Sequence, residues 1–270
     1  MKLKTILTTA LVAAAVFTQV QAQEWKKTLT PSNPKGGAAL KPVHLTYEAN
    51  FNGAIKSGKI SFIFDKKDKR YPKYFISQCY GGSSFNTLPY KLEMTSFASR
   101  KTLLPKLMVS KDKDKREEES ITNKFYTSSV SHKKTTKNFV KGTTNTSQSF
   151  KASAIHDPLT AMMFIRKQKL EVGNKINIFI FPSTKPYLVN IDVLSKEVRH
   201  GQPCFKLNVT MRRVNKDTGI LEPYKKLKKA NIWVTADDQR IPLEFRIEVN
   251  LAKYIKLGSV RLILKAQQKP

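Results

Sequence analysis

Residues 156–173 read HDPLTAMMFIRKQKLEVG, the one stretch of this chain that is convincing as a helix. Asp157 can accept hydrogen bonds from the backbone N–H groups of a first turn, and Pro158 falls where a missing N–H costs nothing. In Leu159–Ile165 only Thr160 is polar. The stretch therefore predicts a short buried helix, packed into or across a sheet between two runs of strands.

Short alternating segments lie on both sides of this predicted helix. Val43–Phe51 places apolar side chains at every second position, Asn52-Gly53 is a tight-turn pair, and Ile55–Phe64 alternates again. Together they predict a β-hairpin. Near the C-terminus, Ile241–Leu251 has apolar residues on one face and polar residues on the other. The pattern predicts a mainly β chain containing an antiparallel sheet with one covered face.

One region before the helix has few apolar anchors. Residues 127–149 are rich in Ser, Thr and Lys, and we expect them to be the least ordered part of the domain. Within this region and just before it, Ile121–Tyr126 and Lys137–Val140 are expected to pair only weakly. The run Lys111–Glu119 mixes basic and acidic side chains, which favours a solvated hairpin tip over a nucleic-acid tract.

The N-terminus has the features of an export signal. Lys2 and Lys4 precede the apolar run Ile6–Phe17, and Val20-Gln21-Ala22 has small residues at the cleavage positions. We predict a signal peptide over residues 1–22, cleaved after Ala22, and a periplasmic or secreted protein. The apolar run is too short to span a membrane, so no transmembrane segment is expected after cleavage. Residues 23–42 contain several Pro and Gly and predict an extended lead-in.

The cysteines and histidines give little indication of chemistry. Cys79 and Cys204 could form a disulfide in an oxidising compartment or remain two separate, partly buried thiols. The histidines show no ligand spacing with one another or with either cysteine; they are His44, His132, His156 and His200. We therefore expect no metal site and no cofactor.

The formal net charge of +29 favours anionic partners such as envelope polymers or lipid surfaces. The alternative is that Lys merely solvates a β surface. The basic residues are spread over most of the chain, whereas a nucleic-acid site would gather them in one stripe, so no nucleic-acid partner is expected.

No constellation of residues predicts catalysis. His156 stands beside Asp157, but helix initiation already explains that aspartate. Asp237-Asp238 resembles a carboxylate pair, yet a turn explains both residues. Accordingly we assign no catalytic residue.

Arg166 stands out because it places a long cation on an otherwise apolar helix. It could act as a structural clamp that reaches a carboxylate or backbone carbonyls, or it could contact an anionic ligand.

Two segments of the chain contain a familiar pattern of residues. The first is Asp157–Ala161 with Arg166, Leu170 and Gly173, and the second is the closing strand–turn–strand, represented by Trp233, Asp237, Asp238, Arg240, Pro242 and Gly258. Together they resemble the domain-of-unknown-function 3108 family of exported bacterial proteins, in which Ser is usual at the position of Thr160. The resemblance implies a single β domain over residues 43–265, a curved antiparallel sheet or partly open β-barrel with one short helix across it. It implies no established activity and supplies no catalytic residues.

Two functional hypotheses follow. The first is an exported, non-enzymatic, envelope-associated protein that binds an apolar or lipid-like amphiphilic ligand in its sheet and meets an anionic envelope polymer. The alternative is a hydrolase acting on envelope or extracellular glycans, which needs two carboxylates facing each other across a sugar.

Overall fold

Strands account for most of the chain that the computed structural model describes, namely residues 24–32, 39–51, 55–83, 90–224, 227–249 and 258–269. Within these ranges the helices are α1 Glu24–Lys27 and α2 Pro158–Lys167. The strands are β1 Val43–Phe51, β2 Ile55–Lys66, β3 Tyr74–Ser83, β4 Tyr90–Ser99, β5 Pro105–Lys113, β6 Glu117–Phe125, β7 Ser129–Asn138, β8 Gly142–Lys151, β9 Ile155–His156, β10 Lys175–Ile180, β11 Tyr187–Arg199, β12 Gln202–Val214, β13 Leu221–Pro223, β14 Leu227–Thr235, β15 Pro242–Val249 and β16 Gly258–Gln268. Three predicted features lie outside the described residues: the signal peptide at 1–22, the lead-in at 23 and 33–38, and the Asn52-Gly53 turn.

All these strands belong to one sheet. Their order is β8-β7-β6-β5-β4-β3-β2-β1-β16-β15-β14-β12-β11-β10-β9, with β13 added to β12. Neighbouring strands pair antiparallel, except that β9 runs parallel to β10. The sheet is open, since β8 and β9 are its unpaired edges. The predicted mainly β fold with a short helix is confirmed.

Cross-strand rows of apolar side chains build the main core. Residues directly opposite each other in antiparallel strands point to the same side of the sheet. One such row crosses six strands, and every member is buried: Ala49, Leu262, Phe245, Ile232, Leu207 and Val193. This apolar side is the concave face of the sheet.

Helix α2 shows how strongly the sheet curves. The helix contacts both β3 and β10, which are eight strand spacings apart in the sheet. In a flat sheet that separation would be about 38 Å. A helix is only about 10–12 Å across. The strands must therefore wrap around α2, which lies against the concave face.

The sheet also overlaps itself. On β10, Ile178 belongs to the main core, whereas the next residue, Phe179, belongs to a second core on the opposite face. Strands β5–β8 supply much of that second core through Met108, Ile121, Phe125, Val130 and Phe150. The strands at one end of the sheet thus pack on the outside of the strands at the other end.

The N-terminal segment is docked on this overlap. The buried Trp25 in α1 donates from Nε1 to the carbonyl oxygen of Gly219 at 3.0 Å, and its ring packs edge-on against Phe179. The extended lead-in predicted for residues 23–42 is therefore wrong for Glu24–Lys27, which form a helix. An indole offers both apolar area and one hydrogen-bond donor, and here the sheet accommodates both.

The region expected to be least ordered forms two ten-residue strands. Strands β7 and β8 pair continuously from Ser129 opposite Lys151 to Asn138 opposite Gly142. That expectation is wrong, because Val130 and Phe150, one on each strand of this hairpin, are buried in the second core. In addition, Thr is β-branched and suits a pleated ladder.

Helix α2 begins at the residue that the sequence predicts, but it ends before the predicted stretch does. Asp157 Oδ1 accepts hydrogen bonds from two backbone N–H groups of the first turn, at 2.8 and 2.9 Å, and Pro158 is the first helical residue. The helix ends at Lys167 because Gln168 has an extended backbone with ψ 145°. It is therefore shorter than the stretch 156–173.

Asp157 also ties the helix to the sheet. Its Oδ2 accepts a hydrogen bond from the hydroxyl of Ser96 on β4, and both residues are buried. Burial raises the pKa of Asp157 to about 6, although the hydrogen bonds from Ser96 and from the first turn act in the opposite direction. The folded protein therefore binds this proton more tightly than the unfolded chain does.

We predict that Asp157→Asn changes the pH dependence of stability. The contribution of the carboxyl group is complete below its ordinary pKa of 3.8 and is lost as the pH rises through about 6. Asn retains the helix cap but does not titrate. The free energy of unfolding of the wild type, relative to the variant, should fall by on the order of 2 kcal/mol between pH 4 and pH 7 in urea titrations. A constant difference between the two proteins would contradict this assignment.

Candidate functional site

Arg166 lies in the last turn of α2 and is fully buried in the main core. Its Nε donates to the backbone carbonyl of Gln239 at 3.0 Å. The guanidinium lies over the ring of Phe64, with 5.1 Å from its central carbon to the ring centroid. Within the described residues, Nη1 and Nη2 have no hydrogen-bond partner. A buried cation with free donors points to a binding function, because such groups are otherwise costly.

The electrostatics of Arg166 keep it charged. Burial lowers its pKa to about 10, and interactions with Tyr47 and Asp237 oppose that shift. The guanidinium therefore still carries its charge at neutral pH. Burial likewise raises the pKa of Tyr47, whose hydroxyl donates to the carbonyl oxygen of Pro242 at 2.6 Å. The neutral phenol of Tyr47 and the ring of Phe64 therefore border the cation. Among the described residues, no carboxylate is hydrogen-bonded to it.

The turn between β14 and β15 brings the second family-like segment to Arg166. Asp237 Oδ1 accepts hydrogen bonds from the backbone N–H groups of Gln239 and Arg240, at 3.0 and 3.1 Å. This turn aims the carbonyl of Gln239 at Arg166. In return, Arg240 Nη1 donates to the carbonyl of Asp238 at 3.0 Å and approaches that of Arg166 at 3.5 Å. The two segments that were separate in the sequence are therefore in contact.

Two further residues of the second family-like segment stand at the starts of strands. Pro242 begins β15, and Gly258 begins β16 opposite Val249. Asp157 and Asp237 both use their carboxylates to hold local backbone.

An aromatic path leads away from Arg166 along the concave face. Phe64 stacks on Phe62 at 6.0 Å between centroids, and Phe62 stacks on Phe245 at 6.4 Å. Two residues further along β15 lies Ile247, which is only partly buried. Other partly exposed apolar side chains of this face are Ile60, Met211, Leu227 and Val260. The face therefore runs from a buried cation to an accessible apolar surface.

A second charged site lies on the opposite face of the sheet, and the sequence did not reveal it. The carboxylate of Glu244 is buried on β15 and contacts four cationic or imidazole groups, Arg199, His200, Arg246 and Arg261, which with Glu244 we call the outer-face cluster. Its members come from β11, β15, β16 and the turn after β11, so only folding brings them together. The sole local signal is the alternation of charged with apolar residues on β15.

The outer-face cluster is tightly bonded. Arg199 and Arg261 each form two hydrogen bonds to Glu244, at 2.7 to 3.1 Å. His200 Nε2 contacts the same carboxylate at 2.9 Å. Burial would raise the pKa of Glu244, but hydrogen bonds from Arg199, Arg261 and His200 outweigh it and lower the pKa to about 2. The carboxylate is therefore ionised at any ordinary pH.

Cys79 and Cys204 are free and buried, so the disulfide that the sequence allowed does not form. Cys79 lies on β3 and Cys204 on β12, with five strands between them in the sheet. A disulfide needs Cα atoms within about 7 Å. Each thiol instead packs in its own surroundings, Cys204 against Trp233 and Leu243.

The described part of the chain contains no group of three His, Cys, Asp or Glu side chains that could hold a metal ion. In the same ranges, no helix is both long enough and apolar enough to cross a membrane.

His156 is buried against Phe164, with 5.2 Å between ring centroids, and burial lowers its pKa to about 4.

An open antiparallel sheet wrapped around a short helix, with a buried arginine inside, defines a barrel-like β protein. The chain belongs to the family of proteins of unknown function DUF3108, whose sequence profile matches residues 46–264. A solved structure with a similar fold is the beta-barrel-like protein of domain of unknown function DUF1849 from Brucella abortus. It is 10% identical, with a TM-score of 0.51, and the match covers 86% of this chain and 98% of that one. No curated protein matches this chain.

We predict that both thiols are unreactive in the folded protein. Burial raises the pKa of Cys79 to about 12 and also raises that of Cys204. The thiolate is the reactive form, so neither residue should react with a thiol-specific chromogenic disulfide at pH 8. In guanidinium chloride without reductant, two thiols per chain should titrate. Finding none under those conditions would show that the cysteines are paired.

Proposed function

We propose that this chain is an exported, non-enzymatic, envelope-associated protein that binds an anionic amphiphile on the concave face of its sheet. Arg166 binds the anionic headgroup, and the apolar side chains beyond Phe64 hold the acyl chain. The observation that carries the proposal is the fully buried guanidinium with two unpaired nitrogens among the described residues.

The surroundings of Arg166 favour an amphiphile over a small polar ligand. A bound anion would accept hydrogen bonds from Nη1 and Nη2, which have no partner among the described residues. The aromatic path from Phe64 to Phe245 and the accessible Ile247 would bury a chain of methylene groups. Each buried methylene contributes about 0.8 kcal/mol. A single acyl chain with a carboxylate or phosphate headgroup matches both parts of the site.

The location rests on the sequence. Residues 1–22 have the pattern of a cleaved signal peptide, and a formal charge of +29 suits an envelope rich in anionic polymers. Such a protein would carry or retain an amphiphile between anionic surfaces.

The test is Arg166→Leu, measured with the fluorescent fatty acid cis-parinaric acid. Loss of the cation should weaken binding at least tenfold, since charge-assisted hydrogen bonds contribute about 1.5–3 kcal/mol. The free energy of unfolding should change by less than about 1 kcal/mol, because the hydrogen bond from Arg166 Nε to the Gln239 carbonyl is lost while a buried charge is replaced by an apolar side chain.

Arg100→Gln is the matched control. Arg100 also lies over an aromatic ring, that of Phe75, but it is paired with the buried Asp65. This variant should bind cis-parinaric acid like the wild type. If Arg166→Leu instead destabilises the protein strongly and leaves binding unchanged, Arg166 is a structural clamp and the proposal fails.

A further inference from the structure

The outer-face cluster and the residues beside it have more positive charge than their carboxylates neutralise. Beside it, Trp233 on β14 is buried and donates from Nε1 to Glu197 at 2.6 Å. Lys206 lies 5.7 Å from the centroid of that indole ring. Counting the three arginines and this lysine against the two carboxylates, Glu244 and Glu197, and leaving out the imidazole of His200, the group has a net charge of about +2.

The arginines are held in place from below. Arg199 and Arg246 lie over the Trp233 ring, at 4.7 and 5.6 Å from its centroid, and both also pair with the carboxylate of Glu244. A long side chain normally loses conformational entropy when it binds a ligand. Here the fold has already fixed these side chains, so the cluster is preorganised.

The same arginines remain accessible from solvent. The exposed fractions of their side chains are 27% for Arg199, 32% for Arg261 and 42% for Arg246, although Glu244 beneath them has none. A guanidinium has five N–H donors, and Arg199 and Arg261 each use only two on Glu244. Several donors are therefore available on the outer side.

We propose that the outer-face cluster binds a phosphate-type oxyanion, either a soluble phosphate ester or the headgroup of an anionic lipid. Planar guanidinium groups match phosphate oxygens in pairs. A net charge of about +2 complements a doubly charged phosphate monoester better than a single carboxylate.

This site is independent of Arg166, which lies on the other side of the sheet. Only the lipid arm of the proposal rests on the envelope association proposed above. The soluble arm stands on the geometry of the cluster alone.

The test compares wild type with the double variant R246Q/R261Q. Binding of glycerol 3-phosphate is measured by titration calorimetry, with lactate as the singly charged control. Binding to phosphatidylcholine vesicles, with and without phosphatidic acid, is measured by co-sedimentation.

We expect the double variant to bind glycerol 3-phosphate at least tenfold more weakly, and the wild type to prefer it over lactate. Loss of vesicle binding in parallel would identify a lipid headgroup; loss of soluble binding alone would identify a soluble ester.

Arg212→Gln is the control for charge alone, since Arg212 is an exposed arginine on β12 outside the cluster. It should leave both measurements unchanged. If the glutamine pair does not fold, R246K/R261K keeps the charge but removes the planar forks, and it should still bind at least threefold more weakly. The proposal is overturned if the wild type binds neither ligand, if the cluster variants bind like the wild type, or if Arg212→Gln loses as much. Arg166→Leu should leave phosphate binding intact, so the two proposals can fail separately.

Discussion

The docking of α2 inside the curved sheet is the constraint on which the rest of the structure depends. Arg166 donates to the carbonyl of Gln239, and Arg240 reaches back to the carbonyl of Arg166. An open sheet has no ladder of hydrogen bonds to close its circumference, so contacts across its interior must hold its curvature. The contact between Arg166 and the β14–β15 turn fixes the helix to the C-terminal strands, while the bond from Ser96 to Asp157 fixes it to the N-terminal strands.

The overlap of the sheet solves the problem of its open edges. Exposed edge strands can pair with other molecules. Here one edge, β9, is only two residues long, and the other, β8, is a polar strand whose Phe150 is buried against Phe179 and Phe181. The two edges follow each other in the chain, which keeps them close without a shared ladder. In a closed barrel, hydrogen bonds join the two edge strands. Here the side-chain packing of the second core holds the edges together instead.

Local chemistry made part of this structure predictable. The start of α2 follows from Asp157 and Pro158 alone, and Arg166 stood out because a cation interrupted an apolar helix. The ordered β7–β8 hairpin was missed because its stability comes from Val130 and Phe150, which pack on strands distant in the sequence. The docking of Trp25 and the gathering of arginines around Glu244 depend in the same way on non-local packing. Short-range patterns contain no information about such contacts.

The two charged sites show why composition alone could not locate function. A charge of +29 spread over the chain describes a solvated surface equally well. What distinguishes Arg166 is a buried guanidinium with two nitrogens that have no hydrogen-bond partner among the described residues. What distinguishes the outer-face cluster is an excess of fixed donors around one buried carboxylate. Both features depend on which residues surround the arginines in the fold, and residue counts do not contain that information. A guanidinium suits both positions because it keeps its charge when buried and because its fork can bind one partner while it offers donors to another.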